Sequence, residues 1–104
     1  MNLTLTGRHF EITPYLKAHV DEKVRKLDHF NSHIIEGEIV LFKEGVKDVA
    51  EGKIHLSHTV ITAKGAGKDM YIAVNDVIDK LVVQLHRQQG RFEGRKRHGA
   101  DTPA

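Results

Sequence analysis

The chain contains no cysteine. That excludes disulfides and Cys-ligated metal, and it fits a reducing compartment. Long apolar runs are also missing: nothing approaches the roughly 18 residues of a membrane span. The opening residues, Met1-Asn2-Leu3-Thr4-Leu5-Thr6, lack the basic start and apolar stretch of a signal peptide. A cytoplasmic chain with no membrane partner is therefore expected. Nucleophiles are scarce. The only serines are Ser32 and Ser57, and Ser57 abuts His58 rather than facing it across a cleft. Of the histidines, His29 and His33 are separated by a loop and His55 and His58 straddle a turn. No His-Glu-x-x-His spacing occurs. Asp76 and Asp79 lie three apart on the outer side of a helix, where paired carboxylates are ordinarily solvent-facing charges. Gly65-Ala66-Gly67-Lys68 has the look of a phosphate loop, but Thr62 stands where the first glycine belongs. Asp69 replaces the hydroxyl that would hold the metal. It reads instead as a flexible linker. No catalytic residue, metal, cofactor or small-molecule substrate is expected.

What is present fits one small domain: 104 residues, 39% of them hydrophobic. The net charge of +2 becomes informative once located. Residues 86–104 carry five basic side chains against two acidic ones, while the other 85 residues carry 11 against 12. The C-terminal end supplies the whole excess, which suits an anionic partner such as nucleic acid. Residues 1–92 are read as the domain and 93–104 as a basic, disordered tail.

Leu3 and Leu5 alternate with Thr4 and Thr6, which predicts a strand over 2–8 with one buried face. Thr13-Pro14 opens a helix, with Thr as N-cap and Pro in the first turn. Leu16, Val20, Val24 and Leu27 form its apolar stripe, and it is expected to run to Phe30. Strands follow over 34–43, 49–57 and 60–64. Asp69 then caps a long amphipathic helix whose stripe is Met70, Val74, Val77, Ile78, Leu81 and Leu85. The strand–helix–strand start favours a right-handed parallel crossover, and the short later turns permit only antiparallel pairing. The fold class is α+β, in the order β-α-β-β-β-α. A four-stranded sheet would carry two parallel helices side by side on one face.

The basic residues are the strongest functional signal. Lys80, Arg87 and Arg91 share one flank of the second helix, at i, i+7 and i+11. His19, Lys23 and Lys26 line an edge of the first. Side by side, these flanks would make one positive surface suited to RNA phosphates and 2′-hydroxyls. The open sheet face offers only Phe42, without the paired aromatics of a sheet-based RNA binder.

The run Asp69-Met70-Tyr71-x-Ala73-Val74-Asn75-x-Val77-Ile78-Asp79-Lys80-Leu81-x-x-Gln84-Leu85 resembles the signature of the bacterial ribosome hibernation-promoting factors, also called ribosome-associated inhibitors. Gly7 with Glu11-Ile12-Thr13, Lys23-x-x-Lys26-Leu27, Leu41-x-Lys43-Glu44 and Val49-Ala50 are similar to other parts of that family. The likeness reaches from residue 1 to about 92 and is to the short form. It implies a fold similar to double-stranded RNA-binding domains. It further implies a non-enzymatic inhibitor of translation that binds the small ribosomal subunit over its messenger and transfer RNA channel. Such a factor holds ribosomes inactive in stationary phase or stress, and ribosome pairing is a further step the resemblance allows. The free protein would be monomeric. Lys23, Lys26, Lys80 and Arg87 correspond to family positions facing ribosomal RNA, and Arg91 extends their flank. Asp69, Tyr71 and Gln84 match the signature with either structural or contact roles. Val83 departs from it, since a basic residue is usual there. It shares the outward face with Ile72. Two rival readings are a general duplex-RNA binder and a protein-interaction module using Ile72, Val83 and Phe42.

Overall fold

A computed structural model describes residues 2–97, the side chains of Asn31 and of residues 89–97 excepted. Its elements are β1 (Asn2–Gly7), α1 (Pro14–Lys23), a 3₁₀ segment (Val24–His33), β2 (Ile34–Glu44), β3 (Lys47–Leu56), β4 (Val60–Gly67) and α2 (Met70–Arg97). The sheet order is β1-β2-β3-β4. β1 pairs with β2 in parallel, and the other two pairings are antiparallel. This is the topology the crossover and the short turns require. Gly45, at φ +66°, supplies the left-handed residue of the two-residue β2–β3 turn.

Alternation along the strands turns one sheet face toward both helices. Ile39, Leu41, Ala50, Ile54 and Ile61 meet Leu16, Val20 and Leu27 from the first helical layer, and Val74, Val77, Ile78 and Leu81 from α2. Contacts between the layers advance together along both chains, from His19 with Asn75 to Lys26 with Asp79, so the helices run parallel. Both caps form as expected. Thr13 Oγ1 accepts from Leu16 N–H, and Asp69 Oδ1 accepts from Ile72 N–H at 2.9 Å.

Three elements differ from their sequence reading. The first helix does not stay α-helical to Phe30; it tightens to 3₁₀ at Val24. The apolar spacing explains this. It is four through Leu16, Val20 and Val24, then three through Val24, Leu27 and Phe30, which matches three residues per turn. Residues 65–67 are the end of β4, not a linker. A side chain at Gly65 would collide with Val77 N and lie 2.6 Å from Ala73 O, so the glycine lets α2 rest its backbone on the strand. Finally, α2 continues to Arg97, across the boundary expected at 92/93. Residues 98–104 of the expected tail lie outside the described residues. Among the described residues, no helix is long and apolar enough to cross a membrane.

Candidate nucleic-acid interface

The helical layer presents three kinds of polar side chain. The first kind ties α2 to β4. Asp76 Oδ2 accepts from Ala66 N–H at 3.2 Å, Lys80 Nζ donates to Lys64 O at 2.9 Å, and Gln84 Nε2 donates to Thr62 O. His58 and Gln88 add a side-chain bond at 3.1 Å. On α2 these residues recur every four positions, and on the strand Ala66, Lys64 and Thr62 recur every two. One helix flank thus satisfies alternate backbone groups along the outer edge of β4, which would otherwise invite pairing with another strand.

The second kind bridges the two helical layers. His19 Nε2 donates to Asn75 Oδ1 at 2.8 Å, and its ring meets Tyr71 edge-on with centroids 5.0 Å apart. Lys26 Nζ pairs with Asp79 Oδ1 at 3.1 Å. Further along, buried Phe30 takes the rings of His29 and His86 edge-on. The third kind is unengaged. Lys23, half-buried at the end of α1, and exposed Arg87 have no ion-pair partner among the described residues.

The expected binding residues therefore fall into separate groups. Lys80 leans on β4 and also pairs with Asp76 at 3.2 Å. Lys26 lies on the opposite flank of α2, against Asp79. Each of these two lysines is already engaged by an acidic side chain of α2, Lys80 by Asp76 and Lys26 by Asp79. A helical wheel assigns each residue a direction but not the neighbour that waits there. Arg91 belongs to α2, but its side chain lies outside the described residues. Asp69 and Gln84 have structural bonds, as cap and edge tie. Asp79 is exposed as expected, whereas Asp76 is half-buried and turned to β4, and each engages a lysine. Their signal was present in the sequence as the polar series Asp76, Lys80, Gln84, Gln88, which borders the apolar stripe at constant spacing.

The other sheet face is different. Arg8 lies 4.2 Å above the Phe42 ring, so Phe42 is not a free aromatic. Lys64 reaches across β3 to Glu44 at 3.4 Å, over Val49, which is 1% exposed although it points away from the helices. Val83 and Ile72 remain exposed on the crest of α2. Phe42 lies on the opposite face, so these three residues cannot form one protein-docking surface. Among the described residues, no three His, Asp or Glu side chains are grouped to hold a metal ion.

Comparison with known proteins places the chain in a family. Residues 3–93 match the family model described as Sigma 54 modulation protein / S30EA ribosomal protein. A Klebsiella oxytoca protein named ribosome hibernation promoting factor is 37% identical over 93 residues, covering 89% of this chain and 98% of that protein. Its namesake from Escherichia coli K12 is 33% identical over the same coverage. Among solved structures, the Thermus thermophilus Protein Y N-terminal domain superposes with a TM-score of 0.75 at 29% identity, covering 85% of this chain and 99% of that one. A ribosomal subunit interface protein from Coxiella burnetii shares the fold, with a TM-score of 0.80 at 24% identity over 86% of this chain and 98% of that one. Sequence and fold agree over nearly the same span, and the chain belongs to the Sigma 54 modulation protein / S30EA ribosomal protein family.

Proposed function

We propose that this protein is a ribosome hibernation factor. It binds the small ribosomal subunit in the messenger and transfer RNA channel and holds ribosomes inactive in stationary phase or stress. It acts in the cytoplasm by occupancy, is a monomer when free, and catalyses no reaction. The observation that carries this reading is the 37% identity to a ribosome hibernation promoting factor along 98% of that protein's length. The helical layer supports it physically. Lys23 and Arg87 are available to neutralise ribosomal RNA phosphates, with Lys26, Lys80 and Arg91 adding positive charge around them. The fold order, similar to double-stranded RNA-binding domains, suits recognition of RNA by shape rather than by base edges.

Sedimentation with purified small subunits at rising salt tests the reading. Binding is expected at low salt and to fall steeply as salt rises, because phosphate contacts release counterions. Absence of co-sedimentation at low salt would sink it. Equal affinity for an unrelated RNA duplex would point to a general duplex binder instead. The same gradients, run on stationary-phase extracts with and without the protein, report whether it also pairs ribosomes.

A further inference from the structure

Asp79 stands on the flank of α2 turned to the first helical layer yet contributes little that the fold requires. Its side chain is 65% exposed and that of its partner Lys26 is 51% exposed, so their ion pair neutralises no buried charge. Asp79 lies well inside α2, where a carboxylate gains nothing from the helix dipole. Asp76, three residues earlier, differs: it anchors the edge of β4 through Ala66 N–H. Among the described residues Lys26 is the one partner of Asp79, and it comes from the other helical layer.

Binding to arbitrary RNA grows with the number of cations free to replace counterions on phosphates. Lys26 is not free in that sense. A phosphate approaching it meets the Asp79 carboxylate at the same point, and like charges brought together discriminate against that ligand. A partner that offers a hydrogen-bond donor there, such as a 2′-hydroxyl or a base amino group, meets an acceptor instead. We propose that Asp79 is a specificity-determining residue. It withholds Lys26 from the phosphates of generic RNA and accepts a donor group from the correct RNA surface, while Lys23 and Arg87 take the phosphates. This rests on the ribosome-binding reading given above.

The test uses the full chain with Asp79→Asn, which keeps the shape and removes the charge. Affinity is measured by anisotropy for a generic A-form RNA duplex and by sedimentation for small subunits, both at the same salt. Asp79→Asn is expected to tighten duplex binding by about 3- to 10-fold and to steepen its salt dependence by close to one counterion. Subunit binding gains less, so discrimination between the two falls. In a Lys26→Gln background the gain on the duplex should disappear. Thermal unfolding confirms that each variant is folded, and Asp79→Ala serves as a second neutral replacement. Unchanged or weaker duplex binding by folded neutral variants overturns the proposal, as does a gain that persists without Lys26. Failure of the wild type to bind subunits would instead strike the ribosome reading, and the duplex measurement would still report on the charge at residue 79.

Discussion

The two faces of the sheet carry similar charged side chains and handle them in opposite ways. On the open face several of the charges answer one another. Lys64 pairs with Glu44, His55 approaches Glu36 at 4.0 Å, and Lys53 lies opposite Glu38 in the strand register. Arg8 is placed over Phe42. On the helical face some cations are committed, Lys80 to β4 and Lys26 to Asp79, while Lys23 and Arg87 have no ion-pair partner among the described residues. A surface on which opposite charges sit side by side has less electrostatic reason to seek a charged partner. One that leaves cations unanswered beside a helix seam has more. The contrast comes from geometry: adjacent strands bring opposite charges face to face, while a helix fans its side chains around an axis.

The largest expected effect would break this contrast outright. Lys23→Glu combined with Arg87→Glu should weaken small-subunit binding by roughly two orders of magnitude near 0.1 M salt, whereas Lys53→Glu on the open face should change it less than about twofold. Equal losses from both faces, read by sedimentation, would erase the distinction. Next comes the close approach that holds the helical face in place. Gly65→Val should cost about 3 kcal/mol in urea unfolding, because the new side chain has to push α2 off β4. The edge ties are smaller. Gln84→Ala should cost about 1 kcal/mol, and Asp76→Ala should also speed hydrogen exchange at the Ala66 amide that it leaves without an acceptor. Smallest is Arg8→Ala, at about 0.5–1 kcal/mol of stability with subunit binding unchanged. A binding defect in that variant would show that the open face also has a partner.

Much of the fold was legible because alternation and helical stripes report burial directly. Leu3 and Leu5, Ile39 and Leu41, and the stripe from Met70 to Leu85 all face where their spacing directs them. The caps at Thr13 and Asp69 were equally plain, since each is a local bond between a side chain and its own helix. The misread stretches are those where one residue type serves two purposes. Glycine at 65–67 looks like a break, yet at Gly65 it serves close packing that only the tertiary structure reveals. Val49 alternates outward and is still buried, because its cover comes from other strands. The candidate site was half legible. Each basic residue could be placed on its own helix, but whether Lys80 met β4 or solvent depended on which element lay beside that flank. Arg87 needed no such knowledge, since it has no ion pair or hydrogen bond among the described residues.

The ladder from α2 to β4 also gives the sheet a direction of growth. With Asp76, Lys80 and Gln84 occupying one border, an incoming strand cannot be added beyond β4. At the other border β1 is a short run, Asn2-Leu3-Thr4-Leu5-Thr6-Gly7, without charge or proline. Among the described residues, no hydrogen bond reaches outward from it. Among the described residues, β1 is therefore the border open to strand addition, and a single lysine or proline placed there is the economical way to guard a concentrated preparation against aggregation.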